Sequence, residues 1–326
     1  MKKGVLILFT GLLLSFTLNA QQLPLYSQYL FNKYLINPAV AGSDGYTSFN
    51  LTAREQWLGY SGAPRTYSFS YQARLLKRSY ILRNTSARKR IFRPKSEGKV
   101  GLGGYVFSDK NGLIQRTGIQ TTYAYHTWLY GETQLSFGLS ATAFHLKINE
   151  DQIAFEDPDD PILFSDLRKG VLVPDANFGV YLLNYRYNIG FSVEQLFQSF
   201  AKVGNPGFDN LTFMRHFYLF GSYTYPISPE SEIQPNFMFR MSEQLKPQLD
   251  FGVNYFFKQD LWGGLSYRTG NALIASLGVR FDQFYFGYAF DFSFSEIQSV
   301  TYGSHELMLA MKLGSSSRKY RWLDRY

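Results

Sequence analysis

Apolar and polar side chains alternate along most of this 326-residue chain. From Gln283 the run QFYFGYAFDFSF puts Phe284, Phe286, Tyr288, Phe290 and Phe292 on every second position. Successive side chains of a strand point to opposite faces, so the five rings share one face and Tyr285, Gly287, Ala289 and Asp291 share the other. The pattern recurs in QLDFGVNYFF from Gln248, in LIASLGVRF from Leu273, in QLSFGLSATA from Gln134 and over Thr66 to Ala73, where Tyr67, Phe69 and Tyr71 oppose Thr66, Ser68, Ser70 and Gln72. The period is 2 almost throughout, and only residues 23 to 36 allow a short helix or irregular segment. Fourteen strands are predicted, over 46–57, 64–77, 98–108, 114–130, 133–148, 174–184, 188–197, 213–226, 231–241, 246–257, 261–269, 272–281, 283–293 and 304–313. Boundary errors bound the count between twelve and sixteen, and an even count suits a single-chain barrel with both ends on one side of a membrane.

Which face is buried decides between a soluble sandwich and a membrane barrel. The polar face carries small residues together with Arg54, Arg240, Asp250, Arg268, Arg280, Asp291 and Lys312. A lipid-facing Arg or Lys costs about 2 to 4 kcal/mol at mid-membrane, whereas a lumen accepts charge. The sorting therefore predicts an all-β, antiparallel, up-and-down outer-membrane β-barrel with its aromatic face toward lipid. Inward Phe107, Tyr181, Trp262 and Tyr285 partly fill the lumen. Connection lengths agree: 130–132, 184–187, 227–231, 258–260 and 282–283 are short, as periplasmic turns are, and 149–173, 194–212 and 294–303 are long, as external loops are. Residues 78–97 break the rule, being long and strongly basic on the expected periplasmic side.

Composition sharpens the picture. Aromatic residues make up 18% of the chain, with 30 Phe and 25 Tyr, which a barrel can display outward. The first twenty residues, with Lys2 and Lys3 before an apolar run from Val5 to Leu18 and Ala20 before Gln21, have the layout of a signal peptide. Four parts are expected: a leader over 1–20, a periplasmic or plug segment over 21–45, the barrel over 46–313 and a periplasmic tail over 314–326. Without Lys2 and Lys3 the chain has 31 basic and 25 acidic residues, too slight an excess to suggest nucleic acid. It has no cysteine, and its four histidines are scattered, so no thiolate or histidine metal site is proposed.

No phosphate loop, nucleophile elbow, zinc-helix motif or calcium loop is present, so no enzyme activity and no cofactor are expected. Glu156, Asp157, Asp159 and Asp160 form either a solvated acidic turn or a hard-cation site. The basic patch Arg83, Arg88, Lys89, Arg90, Arg93 and Lys95 suits either an acidic periplasmic partner, anionic lipid or plain solvation.

Two early stretches carry a more specific signal. LYSQYLFNKYLINPAVAG contains Ser27, Gln28, Tyr29, Phe31 and Asn32, then Asn37, Pro38, Ala39, Ala41 and Gly42. REQWLGYSGAPRTYSFS contains Arg54, Gln56, Trp57 and Gly59, then Gly62, Ala63, Pro64 and Thr66. In this order behind a leader they resemble the PorP/SprF family of outer-membrane proteins of the type IX secretion system in Bacteroidota. The resemblance implies a non-enzymatic barrel that partners secretion and surface anchoring of a cargo adhesin through its C-terminal sorting domain, as in gliding motility. It also implies a periplasmic lipoprotein or peptidoglycan-linking component as a further partner. On turn chemistry alone the same positions either build the first hairpin and plug the barrel mouth or contact a partner. The competing function is a passive channel or apolar-solute transporter, since about fourteen strands enclose a lumen.

Overall fold

A long sheet that is greasy on one face and polar on the other either packs on a second sheet or closes on itself. The computed structural model describes residues 25–75, 99–129, 133–148, 170–201, 211–243, 247–270 and 272–314, and it shows closure. Residues 1–24 (the expected leader among them), the basic insert with Arg83, Arg88, Lys89, Arg90, Arg93 and Lys95, the acidic run 156–160 and the residues beyond Gly314 lie outside the described residues.

Fourteen antiparallel strands form the wall. They are β1 Thr47–Glu55, β2 Arg65–Leu75, β3 Val100–Asn111, β4 Ile114–Trp128, β5 Gln134–Ile148, β6 Val171–Leu183 and β7 Tyr187–Glu194. The second half holds β8 His216–Tyr223, β9 Ser231–Ser242, β10 Gln248–Phe257, β11 Leu261–Arg268, β12 Ala272–Phe281, β13 Phe284–Ser293 and β14 Ser304–Leu313. Each strand pairs with its chain neighbours, and β1 closes the ring against β14 from Thr47↔Leu313 to Glu55↔His305. Every predicted strand is present. The eighth differs in form: it breaks at Thr224 and resumes as Tyr225–Ser228, the pairing lapsing between Ser222↔Asn236 and Tyr225↔Ile233, an interval that holds Pro235, which has no N–H to give to the ladder.

The two rims differ. At the rim where β1 begins, here the Thr47 rim, the connections β6–β7, β10–β11 and β12–β13 span two or three residues. At the opposite, Glu55 rim, residues 56–64, 195–215 and 294–303 make longer excursions. Between β7 and β8 the chain adds a two-stranded ribbon, Phe200–Ala201 with Leu211–Thr212.

Side chains sort as the alternation requires. On β10, Phe251 is 49% exposed and Asp250 beside it 2%. On β14, Leu307 and Leu309 face out while Glu306 and Met308 are buried. No helix among the described residues is long and apolar enough to cross a membrane, which leaves spanning to the strands. The outward face is apolar on strand after strand, with Leu139, Ile119, Leu265 and Leu277 each more than half exposed.

Leu277 lies mid-strand on β12 and is 61% exposed. Leu277→Arg is expected to lower the unfolding free energy of the lipid-embedded barrel by about 2 to 4 kcal/mol, with Leu277→Met close to neutral. Urea unfolding of the protein refolded into vesicles measures both, and equal stability would contradict a lipid-facing position.

Candidate functional site

The most buried apolar side chains do not come from the wall alone. Tyr26, Tyr29, Tyr34, Leu35, Ile36, Ala39, Val40 and Ala41 form the centre of the interior cluster, packed on Tyr105, Tyr181 and Phe220 of the strands. Residues 25–46 occupy the lumen. Two 3-10 turns, Lys33–Leu35 and Pro38–Val40, keep this stretch short and compact. Asn37 caps the second, its Oδ1 accepting from the Ala39 amide at 2.8 Å, and Pro38 occupies the first helical position, where an N–H has no partner anyway.

The segment runs antiparallel to β1. Ser27 lies by Arg54, near the Glu55 rim, and Asp44 reaches Lys312, near the Thr47 rim, at 3.3 Å. Along the way its polar groups find partners on the wall. Tyr26 shares a hydrogen bond with the Tyr105 hydroxyl at 2.7 Å, Tyr29 donates to Asn236 at 3.1 Å, Asn32 to Ser70 at 3.1 Å, and Tyr34 meets Thr122 at 2.7 Å. Asn37 Nδ2 donates to the carbonyls of Val180 and Phe191 at 3.0 and 3.1 Å. His126 bridges the Ala41 carbonyl, 2.9 Å from Nε2, and Ser136, 2.7 Å from Nδ1. A carbonyl only accepts, so Nε2 carries the proton and Nδ1 accepts from Ser136. The Phe31 ring rests on Trp262, centroids 4.8 Å apart. Gly42, with φ +68°, passes beside the Ala73 carbonyl where no Cβ fits.

A buried ionic network holds the Ser27 end. Arg54 donates to Asp291 at 2.7 Å and to Glu306 at 3.1 Å; Arg268 donates to Asp250 at 2.9 Å and to Asp291 at 3.1 Å; Arg240 also pairs with Asp250. The lumen segment enters this network. Ser27 Oγ donates to Asp291 and accepts from Arg54, and the amides of Ser27 and Gln28 donate to the two oxygens of Glu306 at 2.8 and 2.9 Å. Three guanidinium groups against three carboxylates leave the cluster neutral, as burial demands.

The wall is shaped for its contents. A Cβ at Gly101 would strike the Ala41 carbonyl, at Gly103 the Tyr34 ring, at Gly138 the Pro38–Ala39 backbone, at Gly179 the Asn37 amide and at Gly287 the Gln28 amide. Five inward glycines trace the path of residues 28–41.

The sequence motif therefore divides. Ser27, Gln28, Tyr29, Phe31, Asn32, Asn37, Pro38 and Gly42 lie in the lumen, and Arg54 of β1 joins them. Gln56, Trp57, Gly59, Gly62, Ala63 and Pro64 build the β1–β2 connection at the Glu55 rim. There the Gln56 amide donates to the Pro64 carbonyl at 2.9 Å, and Leu58 exchanges hydrogen bonds with Gly303 and Tyr302. Trp57 takes φ +54°, and Gly59 and Gly62 also have positive φ. Sequence reasoning placed Asp291, Arg268, Asp250 and Arg240 inward without joining them into a network. It passed over Glu306 as an anchor, His126 as a bridge and the glycine column; five inward glycines on four strands were the available signal. Among the described residues no three His, Cys, Asp or Glu side chains come together as a metal site.

The family model described as "Type IX secretion system membrane protein PorP/SprF" matches residues 18–311. Solved barrels are similar at low identity. The CymD monoaromatic hydrocarbon channel has a TM-score of 0.47 at 10% identity, covering 89% of this chain and 92% of its own. The TodX deltaS2S3 mutant monoaromatic hydrocarbon channel has 0.46 at 9%, covering 85% and 92%. The Acinetobacter baumannii outer membrane protein Omp33 has 0.40 at 8%, covering 83% and 99%. None of the curated proteins matches the sequence.

Arg54→Met strands Asp291 and Glu306 as buried, undercompensated carboxylates. The expected loss of stability is about 3 to 5 kcal/mol, read by denaturant unfolding. Arg54→Lys, which keeps the charge and loses the fork, is expected to fall between the two.

Proposed function

This chain belongs to the PorP/SprF family of type IX secretion system membrane proteins, and we propose that it is a non-conducting, non-enzymatic outer-membrane docking partner for a secreted adhesin. In this reading the adhesin's C-terminal sorting domain is retained at the cell surface by the Glu55 rim, as gliding-type adhesins require. The observation that carries the proposal is the filled lumen. Residues 25–46 cross the barrel from rim to rim, packed against glycines that leave them no lateral play and tied to the wall by ions at one end and hydrogen bonds along their length. A channel has no use for such a filling.

In this reading the Thr47 rim, with its short turns, faces the periplasm and the Glu55 rim, with its longer excursions, faces outward. Leu75 and Val100 bracket the basic insert 78–97 and pair at the Thr47 rim, the side where a lipoprotein or peptidoglycan-linking component would dock in this reading. At the Glu55 rim, Tyr60, Phe197, Phe294 and Tyr302 stand out from the loops, with Tyr302 76% and Phe197 72% exposed. Aromatic side chains of this exposure are what a partner surface buries first.

Two measurements test the reading. The tagged protein purified in detergent from its own outer membrane is expected to bring a large surface protein's C-terminal domain with it, and the double substitution Phe197→Ser, Tyr302→Ser is expected to reduce that recovery about tenfold while the barrel still folds. Recovery that is unchanged by the substitution would place docking elsewhere, and a partner-free barrel would count against docking altogether. In planar bilayers the natural protein is expected to show no steady conductance, whereas Gly138→Leu, which drives a side chain into Pro38 and Ala39, opens a pore. Steady conductance of the natural protein would favour the channel alternative.

A further inference from the structure

The lumen segment does not fill the barrel evenly. Beneath the Glu55 rim a cavity of about 60 Å³ remains between the segment and strands β3 to β8. Its walls are largely rings and aliphatic carbons: Tyr26, Leu35 and Ile36 from the segment, Tyr105, Phe107 and Phe144 from the strands. Tyr105 and Phe107 stack at 5.2 Å between centroids, presenting a continuous aromatic surface.

The polar groups on this cavity are settled, with two exceptions. Arg116 is taken by Asp109 at 2.6 Å, and Asp175 accepts the amides of Ala176 and Phe197 at 2.7 and 3.0 Å. Asn177 and Gln120 bond to each other at 2.8 Å. Glu194, the last residue of β7, accepts no side-chain hydrogen bond and makes no ion pair among the described residues, although it lines the cavity. The Tyr218 hydroxyl is likewise unpartnered, with the residue only 6% exposed.

We infer that this cavity is a binding site for one compact organic cation, a primary ammonium or a guanidinium, with Glu194 as its counter-ion and Tyr218 as an additional hydrogen-bond acceptor. Three features converge on that class. A carboxylate without donors in an apolar setting is costly and is relieved by an opposite charge. Ring faces carry negative quadrupole density and attract a desolvated cation. The space holds about four water-sized groups, enough for a head group with a short stem and too little for a bulky amine. An anion would meet Glu194 with Arg116 already occupied, and a neutral guest would leave the carboxylate bare. The cavity lies where β4 and β6 begin and β7 ends, so a ligand arrives from the Glu55 rim.

Thermal unfolding of the full-length protein in detergent tests this, using n-propylammonium and guanidinium at low millimolar concentration. Sodium chloride serves as the ionic control and n-propanol as the neutral isostere. The expected result is a saturating rise in Tm with the two cations alone. Glu194→Gln, which removes the charge from a side chain with no bonds to lose, abolishes the rise, and Tyr218→Phe weakens binding about tenfold, the loss expected for a hydrogen bond to a charged group. Equal stabilisation by n-propanol, no stabilisation by either cation, or a full response in Glu194→Gln would each overturn the assignment. Heat-modifiable electrophoretic migration confirms that both variants fold. A short peptide with one Lys, set against its norleucine counterpart, locates the source. Tighter binding than n-propylammonium assigns the site to a protein-borne side chain, and equal affinity assigns it to a free amine.

Discussion

Arg54 stands where the first strand, the last two strands and the lumen segment meet, and closure and filling both depend on its charge. Glu306 lies directly across the β1–β14 seam from it, and Asp291 lies one strand further on. Both carboxylates are also acceptors for Ser27, so the same ions that staple the ring shut hold the segment inside it. A pair exposed to water would contribute little. Here the partners are almost fully buried, and each unpaired member would be a charge left in a poorly solvated interior, so the cluster is all-or-none: Arg268 and Asp250 extend it, and neutrality is reached only when Arg240 is included.

Filling the lumen imposes a second requirement, that the wall recede where the segment advances. Inward glycine meets it at low expense in a sheet whose outer face is held by lipid, because the inner face needs no packing volume of its own there. The segment supplies what the glycines omit. Pro38, Ala39 and Ala41 press on β5 and β3, and backbone groups of the segment are taken by Asn37, which accepts from the Ala39 amide, and by His126 and Gln134, which donate to the Ala41 and Ser43 carbonyls. The direction of travel follows from the bonds. Ser27 near one rim and Asp44 near the other mean that the described segment starts by the Glu55 rim, opposite the rim where β14 ends.

The wall was legible because its signal is local. Alternation at a period of 2 survives fourteen times over, and the facing of Phe251, Leu277 or Leu307 follows from neighbours two residues away. Where the wall departs from that rule the reason is a single residue, as at Thr224, where β8 breaks one position past the level of Pro235. The interior was legible only as types. That Arg54, Arg240, Asp250, Arg268 and Asp291 point inward is a matter of parity. That Arg54 reaches Asp291 across 237 positions is a matter of ring closure, which no window of sequence contains. Residues 25–46 gave still less, because two 3-10 turns have no sustained period, and their motif showed that the residues matter without showing what they touch.

The cavity beside the segment has a cause in the same architecture. Strands β7 and β8 stop at Glu194 and His216, while β6 continues past them, pairing with β7 only from Phe178 and Val193 downward. Above that level the β6 edge is covered by residues 195–199, where the amides of Leu196 and Phe197 bond to Ala176 and Asp175, and by Phe213, which tucks against Phe144. A loop covering an edge cannot match the packing of two further strand lengths, so space remains beneath it. Arg54, Arg240 and Arg268 are all engaged in the anchoring cluster with Asp250, Asp291 and Glu306, and Arg116 is engaged by Asp109. The ion pairs that fasten the segment near β13 and β14 therefore leave Glu194, at the shortened end of β7, as a carboxyl facing the remaining space without a hydrogen-bonded partner among the described residues, whereas Asp175 beside it is bonded to backbone amides.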